Sequence, residues 1–342
     1  MTTASASATS PDQTDLAQQY DTPLGMAHST MQALKDRIKL HYDLASDYYL
    51  NLWGEHIHHG YWPTKESEAT LTKEEAQINL IQLLLDISKC SADTTVLDVG
   101  CGIGGTSRHL AAKYGCTVTG ITISSKQVEI ANRLTKAAAE SESIGDTESM
   151  SAQQPGLPDA GGFTRLGSGK VRFIELDAEK MADFFEGQGG TFGTVWISEA
   201  LSHFPDKALF FENAFRVLQP GGKLVLADWF KAEGLDETAF VNDIKPIEDG
   251  MLLPPLLTQH GYVDLATQAG LHLISEPKDI SQEVRKTWDI TWSLVQSPSL
   301  WAFAFSQGRD GIAFLQSFRA MRRGYSNGSF RYAVMAFNKR DS

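Results

Sequence analysis

The chain has 342 residues, 42% of them hydrophobic, enough for one large domain with a buried core or for a domain carrying a substantial cap. Its 30 Lys and Arg against 42 Asp and Glu leave a net charge of -12, which opposes the phosphate neutralisation that nucleic-acid binding requires. No apolar run approaches the ~20 residues that span a bilayer, and Cys90, Cys101 and Cys116 form neither a C-x-x-C pair nor a zinc-ligand spacing, which fits a reducing compartment.

Residues 1–27 lack the apolar core of a secretory signal and hold no arginine, while Asp12, Asp15 and Asp21 argue against a transit peptide. They read as a disordered tail on a cytoplasmic protein. From His28 to Trp53, Met31, Leu34, Ile38 and Tyr42 recur at helical spacing and predict helices ahead of the first strand. An aromatic loop, WGEHIHHGYWP, follows, and Thr72 with Glu75 then spells a capping box for a helix through Leu80, Leu84 and Leu85. Residues 28–92 thus read as an N-terminal helical lid.

After Asp93 the texture changes to TVLDV, GTSRHLAAKYG, CTVTGIT and SKQVEIANRLTKAA, the punctuation of βαβ units. VRFIEL, FGTVWIS and GGKLVLADWF continue the strands, and the helix DKALFFENAFRVL is expected to end at a turn over Gln219, Pro220, Gly221 and Gly222. The expected fold is α/β: a Rossmann-like, open, mostly parallel sheet with helices on both faces over residues 93–230. Within it, residues 140–170 are rich in Ser, Gly and Pro and predict a mobile insertion. Residues 231–342 predict a helical substrate cap and the final strands, HLISEP and RYAVMAFNK. Between these strands Trp288 and Trp292, Trp301 and Phe305, and Phe314 and Phe318 repeat at i,i+4, which serves either a helical core or a ring-lined substrate pocket.

The glycines of VLDVGCGIGG fit two cofactors. Gly100, Gly102 and Gly105 satisfy the G-x-G-x-x-G of a dinucleotide site. Asp98, however, would set a carboxylate near an anionic pyrophosphate, and the second strand ends in Thr122 where the ribose acid should stand. S-adenosyl-L-methionine has no phosphate and carries a sulfonium and an ammonium, so an acid beside the glycine loop becomes favourable.

VLDVGCGIGGTSRHLA resembles the first motif of class I S-adenosylmethionine-dependent methyltransferases. With YDLASDYYLNLWGEHIHHGYW ahead of it and GITISSKQ, SEALSHFPDK and MRRGYSNGSFRYAVMAFNK after it, the chain resembles the gamma-tocopherol methyltransferase group, and more distantly sterol 24-C-methyltransferases, from about Leu40 to Lys339 apart from the insertion. The resemblance implies a small, largely apolar acceptor, aromatic, indolic or terpenoid, methylated on N, C or O. It places Asp98, Gly100 and Gly102 at the methionine part of the cofactor and Thr122 and Gln127 at the ribose. Ser124 and Gln127 also spell a capping box, so Gln127 has two readings. Asp177 and Ala178 match the positions at the adenine, with an ordinary turn aspartate as the alternative, and Glu199 is read as a brace for its loop. Tyr42, His58, Tyr61 and Trp62 match lid and pocket groups, Tyr42 and His58 beside the cofactor and Tyr61 and Trp62 beside the substrate.

His203 follows the fourth core strand and Asp228 ends the fifth, both at carboxyl ends where open sheets bind ligands. They are expected to form a His–Asp pair; the resemblance implies His203 as general base, with a loop histidine packing over the cofactor as the alternative. His56, His58 and His59 invite a metal, but no acidic or cysteine partner lies at ligand spacing, so none is expected. An NAD-dependent oxidoreductase, and a cofactor-binding relative that catalyses cyclisation or serves an interaction role, are the rival readings.

Overall fold

The computed structural model describes residues 53–145, 156–186, 192–295 and 308–341, together with Asp36, Lys39, Asp43, Ser46 and Leu50. One sheet organises them. Its strands are β1 (Thr95–Val99), β2 (Thr117–Thr122), β3 (Thr164–Leu166), β4 (Gly169–Glu175), β5 (Phe192–Ser198), β6 (Leu218–Lys231), β7 (Leu271–Leu273), β8 (Lys278–Asp279) and β9 (Phe330–Lys339). The order is β3-β4-β2-β1-β5-β6-β9-β7, with β8 pairing β9 off this path. β4, β2, β1, β5 and β6 run parallel, whereas β9 is antiparallel to both β6 and β7.

The strands are apolar on both sides, as a sheet covered on both faces requires. Val96, Val118, Trp196, Val225, Ala227, Tyr332 and Val334 pack in one core with residues of helices Lys73–Ser88, Gly105–Tyr114 and Ser125–Gly145 and of the late cap. Their neighbours Leu97, Val195, Ile197, Leu224, Leu226, Ala333 and Met335 pack in the other, against helices Met181–Glu186, Lys207–Val217 and Gln259–Gln268. The expected capping box forms: the Glu75 amide donates to Thr72 Oγ1 at 3.2 Å and the Thr72 amide to Glu75 Oε2 at 2.8 Å.

Two expectations about local structure change. The tetrapeptide at Gln219–Gly222 does not separate helix from strand, because β6 already begins at Leu218. Phe192 pairs with Leu218 and Thr194 with Lys223, so the extra residues are absorbed as an irregularity in the ladder, with Gly221 at φ +71°. The span 140–170 is not one insertion. Helix Ser125–Gly145 continues into it, residues 146–155 lie outside the described residues, and β3 and β4 form an antiparallel pair at its far end. Leu166 is buried, and the Gly167 amide donates to Glu142 Oε2 at 2.8 Å. A composition poor in large apolar groups still supplied the one buried leucine that a three-residue edge strand needs. Deleting residues 141–169 is therefore expected to cost at least ~2 kcal/mol from Leu166 alone, whereas removing only 146–155 changes loop-closure entropy slightly. Denaturant melts of the two deletions check this.

The expected tail at residues 1–27 lies outside the described residues. Of the expected first helix, Asp36, Lys39, Asp43, Ser46 and Leu50 are helical. Lys39 Nζ donates to the Ile123 carbonyl and to Glu175 Oε1, both at 2.9 Å, and Ser124 Oγ donates to Asp43 Oδ1 at 2.5 Å. The helix is thereby tied over the carboxyl ends of β2 and β4. Late in the chain, helices Lys286–Val295 and Gly308–Asn327 stand between β8 and β9.

Candidate active site

The loops after β1 and β5 meet at the carboxyl edge of the sheet. Gly100 takes φ +71°, and a Cβ there would lie 2.4 Å from Ala200 Cβ. Gly104, at φ +80°, is pressed against Phe173, and Gly105 against the Glu55 carbonyl. Gly102 differs: at φ +54° an added Cβ would meet none of the described residues within 4 Å. The loop is closed by protein on three glycines and open at one. Beneath it Asp98 is buried, with Ser107 Oγ donating to Oδ2 at 2.6 Å, and burial pushes its carboxyl up to about 6 despite that bond. The nearby Arg108 is spent on the loop, donating to the Ile103 carbonyl at 2.7 Å and to Glu55 Oε2 at 3.1 Å.

At the end of β2, Thr122 Oγ1 donates to Gln127 Oε1 at 2.6 Å, while the Gln127 amide donates to Ser124 Oγ at 3.1 Å. Half of the capping box forms, and the Gln127 side chain turns to Thr122. Asp177 caps the short 3-10 turn Ala178–Lys180, accepting from the Glu179 amide at 3.0 Å.

The aromatic loop lies over this edge. Gln77, on helix Lys73–Ser88, donates Nε2 to the carbonyls of His56 at 2.6 Å and His58 at 2.9 Å. The Gly60 amide donates to Thr287 Oγ1 at 3.1 Å and the Trp62 amide to the Glu283 carbonyl at 2.9 Å, so early and late segments close together. Trp62 is buried under Lys286, and Tyr61 is half-buried beneath Lys278. Tyr42 lies outside the described residues. His56 is lowered to about 2 by burial, with the His58 and His109 imidazoles adding to it, and burial likewise lowers His58. Among the described residues no group of three or more His, Cys, Asp or Glu converges as a metal would require.

The expected His203–Asp228 pair does not form. Asp228 is fully buried on β6, where Oδ2 accepts from the Ser202 amide at 2.7 Å and from Tyr262 Oη at 3.2 Å, and Oδ1 from the Trp229 amide at 2.8 Å. His203 is not among its donors. Asp228 instead fixes the backbone of the 3-10 turn Leu201–His203. Lys207, which the sequence reading missed, completes the clamp: buried, it donates to the carbonyls of Ser202 at 3.3 Å and Phe204 at 3.0 Å. A lysine directly after the helix-capping Asp206 gives no sign of burial in sequence. The His203 ring lies 6.1 Å from that of Trp229, which continues to Trp288 at 6.2 Å and to His59 at 6.0 Å.

Comparison with known proteins identifies the group. A model described as mycolic acid cyclopropane synthetase matches residues 28–148, and one described as methyltransferase domain matches 97–226. The probable chloroplastic tocopherol O-methyltransferase of Oryza sativa subsp. japonica is 30% identical, over 90% of this chain and 78% of its own. The chain belongs to the class I S-adenosylmethionine-dependent small-molecule methyltransferases of the tocopherol group. The 27-O-demethylrifamycin SV methyltransferase of Amycolatopsis mediterranei is 32% identical over 72% of this chain and 77% of its own. In fold, mycolic acid cyclopropane synthase CmaA1, solved with S-adenosylhomocysteine, superposes with a TM-score of 0.68 at 19% identity, over 89% of this chain and 98% of its own.

S-adenosyl-L-methionine is the cofactor of this methyltransferase. The residues present fit it: one open glycine at Gly102, a buried carboxylate at Asp98, and an arginine committed to the loop instead of to a phosphate. The cofactor supplies an electrophilic methyl on a sulfonium. Gly102→Ala should fill the open face and strain the backbone, weakening cofactor binding at least ~10-fold for a stability loss of only ~1 kcal/mol. Calorimetric titration beside a thermal melt checks both numbers.

Proposed function

We propose that this methyltransferase acts on a largely apolar acceptor presenting a hydroxyl on an aromatic or terpenoid framework. The observation that carries the reading is Trp229. It follows Asp228 near the carboxyl end of β6 and packs with His59, His203, Trp288 and Phe330, making an aromatic wall at the turn after β5. Such a wall favours burial of apolar rings and excludes water. The names of the relatives agree, one being a tocopherol and one a rifamycin methyltransferase.

In this reading Asp98, Gly100 and Gly102 hold the methionine part of the cofactor, Thr122 and Gln127 the ribose, and Asp177 and Ala178 the adenine. Residues 28–92, with Tyr42, His58, Tyr61 and Trp62, form a lid over the core of residues 93–230, and residues 231–342 supply the substrate cap. No described helix is long and apolar enough to cross a membrane, and the three free cysteines support work in a reducing compartment such as the cytoplasm, which fractionation tests.

The test of function is release of S-adenosylhomocysteine with tocopherol and with 27-O-demethylrifamycin SV, against a small charged phenol as control. Turnover of the apolar acceptors with a mass gain of one methyl is expected. Turnover of the charged phenol alone would overturn the acceptor class, and cofactor binding without any release would favour a cyclase or interaction role.

A further inference from the structure

A histidine–carboxylate contact does form elsewhere, between His59 and Glu199. Glu199 follows β5 with φ +56°, a left-handed conformation that a glutamate adopts only under constraint. It lies next to Ala200, the residue against Gly100, and so at the glycine loop. From there its carboxylate reaches the aromatic loop. Oε1 accepts from the His59 amide at 2.6 Å and from Tyr332 Oη at 2.8 Å, and Oε2 faces His59 Nδ1 at 2.9 Å. Both groups are buried.

The hydrogen position follows from these partners. Burial alone would push the Glu199 carboxyl up, but its contacts with the His59 ring and amide outweigh burial and hold it low. An ionised carboxylate only accepts, so the hydrogen between the two groups lies on His59 Nδ1, and the single-hydrogen tautomer that this contact selects has its lone pair on Nε2. That Nε2 is buried and has no hydrogen-bond partner among the described residues. The ring is walled by Tyr332 at 4.8 Å, Trp288 at 5.0 Å and Trp229 at 6.0 Å. An acceptor so placed costs ~1–3 kcal/mol while unsatisfied, and an acceptor hydroxyl against the aromatic wall would satisfy it.

We infer that His59 and Glu199 are the proton-accepting pair of this methyltransferase, with His59 Nε2 the general base and Glu199 the residue that positions it. The inference rests on the proposed hydroxyl acceptor. As the acceptor oxygen bonds to the methyl carbon, its hydrogen passes to Nε2. The carbon–sulfur bond breaks with its electron pair going to sulfur, giving S-adenosylhomocysteine, and the imidazolium, stabilised by Glu199, later releases the proton to solvent. His260 Nδ1 meets Glu233 at 3.0 Å, but that pair is exposed to solvent, away from the aromatic loop. His58 Nδ1 faces the His59 carbonyl, so no carboxylate pairs with its ring, and the carboxylate expected beside His203 is taken by Ser202, Trp229 and Tyr262.

Histidine 15N resonances of the protein without substrate provide the first test, independent of turnover. His59 is expected as the Nδ1–H tautomer, and Glu199→Gln, whose amide can donate to Nδ1, should move the hydrogen to Nε2. The second test is single turnover with tocopherol at saturating cofactor. His59→Gln and Glu199→Gln should each slow it ~10²-fold or more with cofactor Kd within about threefold. If His59→Gln does not fold, the near-isosteric Glu199→Gln carries both measurements. An Nε2–H tautomer in the wild type, or a full single-turnover rate for the variants while His203→Ala loses it, would overturn the pair. Absence of wild-type turnover on either apolar acceptor would count against the acceptor class, and the tautomer measurement would still decide the pairing.

Discussion

Asp228→Ala is expected to destabilise the protein by ~3–5 kcal/mol, the range for breaking a buried charge from its partners. The carboxylate is fully buried and receives two backbone amides and one phenol, on both oxygens. Its removal orphans Ser202 N–H, Trp229 N–H and Tyr262 O–H together and leaves Lys207 without the opposite charge that opposes its burial. Asn is not a rescue. Its oxygen can accept from one amide, but its NH2 then faces the other donor. Asp228→Asn should lose somewhat less than Ala and still exceed ~2 kcal/mol. Lys207→Met removes the second half of the clamp, so the double variant should lose less than the sum of the singles. Urea melts of the three measure this, and additive losses would show that the Asp228 and Lys207 contacts are independent. Activity should fall with stability here, since the clamp sets the turn that directly follows Glu199 and Ala200.

The same clamp shows where sequence was informative and where it was not. Strands such as TVLDV and FGTVWIS were legible because runs of apolar residues between turn signals have one economical arrangement, the covered parallel sheet. The glycine-rich turn after β1 was legible because positive φ at Gly100 and Gly102 is a local demand. Which histidine meets which carboxylate was not. The sequence put Asp228 and His203 at neighbouring strand ends, yet Asp228 lies within β6 and its oxygens are turned to the Ser202 amide, one residue short of the imidazole. Glu199 meets His59 across 140 residues, through a positive-φ residue and a loop that Gln77 holds in place. No periodicity in the chain encodes such a meeting. Likewise the hydrophobic texture of 140–170 suggested no packing, because a three-residue edge strand needs only one buried side chain, Leu166.

Asp98 should give stability and cofactor affinity opposite dependences on the same proton. Its carboxyl is raised from 3.8 to about 6 by burial. For an acid raised in the folded state, the contribution to stability is full below the unfolded value and is lost as pH climbs through the folded value. Asp98 thus weakens the cofactor-free protein as pH rises from about 4 to about 6. The cationic cofactor needs the ionised form. Its affinity should therefore rise with pH up to about 6, by as much as ~10-fold per unit, and level off above, with a proton released on binding at the lower pH values. Asp98→Asn keeps an oxygen to accept from Ser107 but removes the charge. At pH 8 it should raise the thermal midpoint of the cofactor-free protein while weakening S-adenosylmethionine on the order of 10²-fold or more. Calorimetric titration from pH 5 to 8 in buffers of different ionisation enthalpy measures affinity and proton release together. A flat profile in the wild type, or a variant that binds as tightly, would remove Asp98 from the cofactor site and leave it a buried support for Ser107.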